Sequence, residues 1–219
     1  MRTTLNGFDI LDEGVVEYSK GLEIQEKILY GRINGLLPDT LIMLEHFPVV
    51  TLGRRSDEKS IINRDYFNEN NFPVMYTGRG GLVTCHMPGQ LLLYPVINLA
   101  DKKRDISLYI DFLEGTVTNS LKRIGVHAAR IEGRRGVWVD EKKIAFTGIA
   151  VKKWVTYHGV AVNINNDITA FSCINPCGEP DIKVTSVRSL IGKKLDMNLV
   201  KQNFAEQFTE NYHTEYGEL

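Results

Sequence analysis

The stretch from residue 136 to residue 164 constrains the fold of this chain most. Residues 136–139 and 143–151 are strand-like runs separated by a tight turn at Asp140-Glu141, and residues 155–164 extend the pattern after a second short break. An antiparallel hairpin continued by a third strand is the expectation. In that third strand His158, Val160, Val162 and Ile164 fall on one face, and Gly159, Ala161 and Asn163 on the other.

Elsewhere the apolar period lengthens to that of helices. Tyr18, Leu22, Leu29 and Ile33 share a face in a helix expected from about Gly14 to Asn34-Gly35. Leu113, Val117, Leu121 and Ile124 share another, started by Asp105 or Ser107. Val200, Phe204, Phe208 and Tyr212 form a core stripe in a last helix from about Asp196, expected to fray after His213. Residues 8–11, 41–44, 49–52, 73–76, 90–99 and 126–131 read as further strands, and Asn63 as the cap of a short helix through Asn70. Strands in runs with helices between some of them imply an α+β fold, a mixed, largely antiparallel sheet with flanking helices. No repeat or linker divides the chain, so residues 1–219 are expected to form a single domain.

Composition narrows the function. A net charge of −1 with no basic block argues against a nucleic-acid partner, and no apolar run is long enough to cross a bilayer. The start lacks the apolar core of a secretory signal, and three cysteines without framework spacing point to reduced thiols in a cytoplasm. One C-x3-C pair, Cys173 and Cys177, has no second pair at metal-binding spacing, so no metal is expected.

Two places hold the residues of a reactive site. Gly78, Gly80, Gly81 and Gly89 lie within twelve residues, beside Arg79, Thr84, His86 and Gln90. Such a loop lets backbone approach a ligand, although it lacks the GK[ST] of a phosphate loop. The second is Asn175-Pro176-Cys177-Gly178, a turn suited to exposing the sulfur. A thiol needs a neighbouring cation to become a nucleophile, and Lys143, entering an apolar strand, is the candidate. Residue types alone also fit an inert reading, with Lys142 and Lys143 at an exposed hairpin tip and Cys177 as a buried structural cysteine. His46, before a turn, reads as a structural hydrogen-bonder, and His86 and His158 as groups that shape a pocket.

Five blocks, LEHFPVVTLG, GRGGLVTCHMPGQLLLYPV, RRGVWVDEKKIAFTGI, YHGVAVNINNDITAF and INPCG, occur in order from about residue 40 to 190. Together they resemble the octanoyl-acyl-carrier-protein:protein octanoyltransferases of lipoate biosynthesis, whose fold is similar to that of biotin and lipoate protein ligases. The resemblance implies a catalytic dyad of Cys177 and Lys143. It also implies an acyl-binding surface from Arg79, Gly80, Gly81, Leu82, Val83, Thr84, Cys85 and His86, with Phe146, Thr147 and Gly148 and with Gly159, Val160 and Ala161. Cys85 stands where the family commonly has an aromatic residue and Met87 where it often has glycine, both expected at the border of the acyl pocket. The implied donor is octanoyl-acyl carrier protein; the implied acceptors are lipoyl domains of 2-oxoacid dehydrogenase E2 subunits and the glycine cleavage H protein. No cofactor is implied, and the expected enzyme is a cytoplasmic monomer. Two other activities fit the same residues: an ATP-dependent lipoate or biotin protein ligase, and an amidotransferase moving octanoyl between lipoyl domains. A non-enzymatic carrier-binding module is the third alternative.

Overall fold

Alternation decides which layer each strand residue enters. Strand β3 (Thr40–His46) is buried along its whole length. Leu41 and Met43 enter one core, and Ile42 and Leu44 enter another on the opposite face. Strand β7 (Gln90–Val96) sorts likewise, Leu91 and Leu93 against Leu92 and Tyr94. Strands apolar on both faces need a cover on each, and helices supply it.

The structure is a computed structural model that describes residues 1–5, 8–176 and 182–216. With β1 (Arg2–Leu5), β2 (Phe8–Val16), β8 (Ala129–Ile131), β9 (Arg134–Val139), β10 (Lys142–Lys152) and β11 (Val155–Asn163), the two strands above form an eight-stranded sheet of order β1-β2-β3-β7-β11-β10-β9-β8. β2 and β3 are parallel and the other neighbours antiparallel, which is the mixed, largely antiparallel sheet expected. Helices α3 (Ile106–Arg123) and α5 (Met197–Tyr216) cover one face; α1 (Tyr18–Ile33) covers the other. A small sheet of β4 (Val49–Leu52), β5 (Val74–Tyr76) and β6 (Val83–His86) has its own core with Phe67 of α2 (Arg64–Glu69) and Phe171.

Local signals placed most boundaries. Asn63 caps α2 by accepting from Tyr66 N–H at 3.0 Å, and Asp105 caps α3 by accepting from Ser107 and Leu108. The stripe Val200, Phe204, Phe208 and Tyr212 is buried throughout.

One strand was missed and three expectations are corrected. β1 was not foreseen; it is exposed and held by pairing with β2. α1 begins at Tyr18 rather than near Gly14, because the pairing of β2 with β3 shifts register between Asp12 and Val15 and then continues to Val16. Gly14, at φ +66°, donates its N–H to Asp12 Oδ1 inside that irregularity. α5 does not end at His213 but runs to Tyr216, whose ring packs 5.6 Å from Phe112 and 5.3 Å from Tyr212. His158 leaves its expected face: at φ +55° its ring lies by Tyr94 and Tyr157 of the α1 side, while Val160 and Val162 enter the α3–α5 core.

Candidate active site

Lys143 is the centre of the site. The turn at Asp140, with φ +52°, closes the β9–β10 hairpin and leaves Lys142 exposed, while Lys143 is only 3% exposed. The hairpin-tip reading therefore fits Lys142 and not Lys143. Two steps along β10 the register with β9 shifts, so that both Ile144 and Ala145 enter the main core. The Lys143 ammonium sits 5.0 Å from the ring centres of both Trp138 and Phe146, positions where the negative face of a ring favours a cation. Its backbone is clamped on the far side: Lys143 N–H donates to Lys183 O at 2.8 Å and Thr185 N–H to Lys143 O at 2.9 Å.

Gly136 makes room for this side chain. It has φ +101°, a region that suits glycine, and its N–H donates to the buried carboxylate of Glu114 at 2.7 Å. Burial holds the Glu114 carboxyl above its ordinary range, against the opposing pull of that Gly136 N–H.

The glycine-rich loop lies across the same opening. Arg79 is buried and donates to Thr51 O and Thr51 Oγ1, each at 2.8 Å, and to Gly80 O at 3.1 Å. Gly80 N–H donates to Ile149 O at 2.8 Å, tying the loop to β10. That N–H is thus committed to β10, and the Arg79 N–H, which donates to Thr77 Oγ1, within the loop. Below the loop lie three buried histidines held neutral at ordinary pH. Burial lowers His46 to about 4; burial, with Arg79, His46 and Arg54 adding to it, lowers His158 to about 3. His86 is pushed well below its ordinary value, first by burial and then by His46. His46 bonds Val16 O and Tyr94 Oη, each at 3.1 Å, a structural role.

Loop, lysine and β11 enclose a cavity of about 390 Å³, inside the usual range of roughly 300–1,000 Å³ for small-molecule sites. Lys143 lines it, as do Arg79, Gly80, Gly81, Leu82, Val83, Thr84, His86, Phe146, Thr147, Gly148, Gly159, Val160 and Ala161. Cys85 is the exception. It is fully buried in the small core with its Sγ 3.8 Å from Ala170 O, outside the lining, and burial pushes its thiol well above the ordinary value. Met87, one residue beyond β6, lies in that core too, while Thr84 and His86 line the cavity. Neither therefore borders the pocket.

Some lining residues were not foreseen. Leu92, Tyr94, Trp138 and Ile149 form apolar wall, and Arg55, Arg134 and Arg135 stand at the opening. Trp138 was findable, since it is the cross-strand partner of Lys143 once the hairpin register is set. Cys177 lies outside the described residues. The chain before it is fixed by Ile174, which bridges Ile61, and by Asn175, whose N–H donates to Ser60 O at 2.8 Å. Among the described residues no group of three His, Cys, Asp or Glu could hold a metal ion, and no helix is long and apolar enough to cross a membrane.

The model of the lipoyl protein ligase A/B catalytic domain matches residues 17–209. The chain belongs to that family. Among lipoyl protein ligase A/B relatives, it is 40% identical over 197 residues to an octanoyltransferase of Pelobacter propionicus, covering 90% of this chain and 91% of the relative. It is 46% identical over 185 residues to an octanoyltransferase of Caldicellulosiruptor bescii, covering 83% and 81%. A bi-partite lipoate protein ligase from Thermoplasma acidophilum superposes with a TM-score of 0.67 at 18% identity, over 93% of this chain and 84% of that one. At that identity the likeness shows a shared fold alone. For a member of the lipoyl protein ligase A/B family the arrangement offers three things: a buried amine, a cavity with an apolar wall beside it, and a glycine-lined rim for backbone approach.

Proposed function

We propose that this protein, acting as one catalytic domain over residues 1–219, moves an octanoyl group from octanoyl-acyl carrier protein to a lysine of a lipoyl domain, through a thioester on Cys177. The observation that carries this reading is the burial of Lys143 at a cavity with an apolar wall, in a chain related to curated octanoyltransferases over most of its length. A buried amine between two aromatic rings suits partnership with an anion, and a thiolate supplies one.

Lys143 as ammonium stabilises the Cys177 thiolate, which attacks the thioester carbonyl of the donor. The tetrahedral oxyanion collapses, the new carbon–sulfur bond stays with Cys177, and the carrier thiolate leaves with a proton from Lys143. Acylation has then removed the negative charge at Cys177, and the proton given to the carrier thiolate leaves Lys143 as a neutral amine. Neutral Lys143 takes the proton of the acceptor lysine as its amine attacks the acyl-enzyme; an amide forms and Cys177 is released. Thioester exchange is nearly balanced and amide formation runs downhill, so ATP has no step to drive. Phe146, Leu82, Val83 and Ala161 offer the acyl tail a dry wall. Burying about seven apolar carbons at roughly 0.8 kcal/mol each contributes on the order of 5 kcal/mol before ordering costs.

Intact-protein mass spectrometry after incubation with octanoyl-acyl carrier protein tests the reading. One octanoyl adduct located at Cys177, discharged by adding a lipoyl domain, is the expected result. No adduct, or acylation that requires free octanoate and ATP, would overturn it in favour of a binding module or a ligase. An octanoyl-lipoyl domain that serves as the better donor would make the protein an amidotransferase.

A further inference from the structure

An unbroken line of buried hydrogen bonds joins the glycine-rich loop to the backbone of Lys143. Arg79 Nη2 donates to Thr51 Oγ1 at 2.8 Å, and Thr51 Oγ1 lies 3.4 Å from His86 Nε2. His86 Nδ1 lies 2.8 Å from Gln90 Oε1, and Gln90 Nε2 donates to Asn163 Oδ1 at 2.9 Å. Asn163 Nδ2 donates to Thr185 O at 3.0 Å, and Thr185 N–H donates to Lys143 O at 2.9 Å. The line has one consistent sense. A guanidinium can only donate, so Thr51 Oγ1 accepts from Arg79 and turns its own hydrogen to His86 Nε2. That puts the imidazole proton on Nδ1, aimed at the Gln90 carbonyl oxygen. At the other end Asn163 Oδ1 receives both Gln90 Nε2 and Asn166 Nδ2, so its amide nitrogen must face the Thr185 carbonyl.

None of the middle groups can exchange a lost partner for solvent. Thr51, Gln90 and Asn163 are fully buried, and His86 and Thr185 nearly so. Gln90 and Asn163 lie outside the cavity lining. They sit where β7 and β11 pair, Gln90 opposite Asn163, and Asn163 reaches from there to the segment that clamps Lys143. That segment, entered at Ile182, follows Cys177 by only a few residues.

We infer that Asn163 and Gln90 are positioning residues for the acyl transfer: their amides hold the Thr185 segment, and through it the Lys143 backbone, in register with the Arg79 loop. The inference rests on the catalytic reading of Lys143 given above. Isosteric changes isolate the role. Asn163→Asp keeps the acceptor for Gln90 but turns a carboxylate oxygen toward the Thr185 carbonyl. Gln90→Glu keeps the acceptor for His86 and removes the donor toward Asn163.

The test combines kinetics with residue-resolved amide exchange on the full chain. For Asn163→Asp, kcat falls by about tenfold to a hundredfold while KM for the acyl donor stays within about twofold, because the cavity wall is untouched. Exchange at the Lys143 and Thr185 amides quickens by at least about tenfold while the β3–β7 amides keep their wild-type rates. In a Lys143→Ala background the same substitution costs no further activity. Gln90→Glu gives the same pattern, smaller, and carries the test if Asn163→Asp does not fold. A kcat within about twofold of wild type, or exchange that quickens evenly across the sheet, overturns the positioning role. Exchange is read without turnover, so a protein that proves inactive toward octanoyl donors still reports on this linkage.

Discussion

Gly136 and Lys143 face each other across the β9–β10 hairpin so closely that a Cβ at position 136 would lie 2.5 Å from Lys143 Cε and 3.1 Å from its Nζ. The same glycine hands its N–H to Glu114, so one residue sets both the floor under the amine and its link to α3. Space and backbone angle demand glycine here, which makes the position a direct probe of where the amine must be.

Gly136→Ala is expected to lower octanoyl transfer at least about tenfold by displacing Lys143, and to destabilise the fold by about 2 kcal/mol or more through its positive φ and a Cβ that would lie 2.5 Å from Ala145 O. Steady-state rates and a thermal melt read the two effects separately. Wild-type transfer in the alanine variant would show that the seat of Lys143 is not set by this contact.

The two neighbouring lysines should behave unlike each other. Lys143→Ala is expected to reduce transfer by about a hundredfold or more, and Lys142→Ala, exposed at the turn, by less than about twofold. Among the cysteines, Cys177→Ala is expected to abolish transfer, whereas Cys85→Ala and Cys173→Ala, both in the small core, act on stability and leave most activity. Equal loss from both lysines, or turnover without Cys177, would refute the dyad.

Gly159 sits where β11 crosses β7, and a Cβ there would come 2.1 Å from Leu93 O and 3.0 Å from Pro95 Cδ. Backbone cannot yield as a flexible side chain does. Gly159→Ala is expected to cost several kcal/mol of stability, roughly the scale of overpacking with lost pairing, and to distort the cavity wall. Urea unfolding measures it; a variant as stable as wild type would mean that the strand spacing is wider than described.

Acid should weaken the protein through its buried histidines. His46 and His158 protonate only near 4 and 3 in the folded state, while an unfolded histidine takes up its proton near 6.5. The unfolded chain therefore binds more protons across that window, and the stability these groups contribute is complete above about pH 6.5 and is lost as pH falls toward 3. At about pH 5 the loss is on the order of 2 kcal/mol for each group. Asparagine tolerates positive φ, so His158→Asn should flatten the dependence between about pH 6.5 and 4 in urea melts without adding backbone strain. An unchanged slope would mean that His158 is not held neutral.

Periodicity marked the β9–β10–β11 meander and the stripe Val200, Phe204, Phe208 and Tyr212, and residue type marked the cap Asn63 and left Asp105 or Ser107 for α3, because these depend on neighbours a few residues away. The glycine-rich loop and Lys143 were also legible as residue types, but their meeting at one cavity was not. Lys142 and Lys143 are the same amino acid one step apart; a turn at Asp140 and a register shift bury one and expose the other, and no local pattern separates them. His158 was assigned by alternation to the Val160 face, and a single positive φ moved it to the other side. Cys85 looked like pocket and proved to be core, since the small sheet that β6 joins has a core of its own. The line from Arg79 to Lys143 includes a bond between residues 73 positions apart, Gln90 and Asn163, and such contacts form only when strands from distant parts of the chain pair. Local chemistry is written in sequence order; the side of a strand and the partner across a sheet are settled by packing.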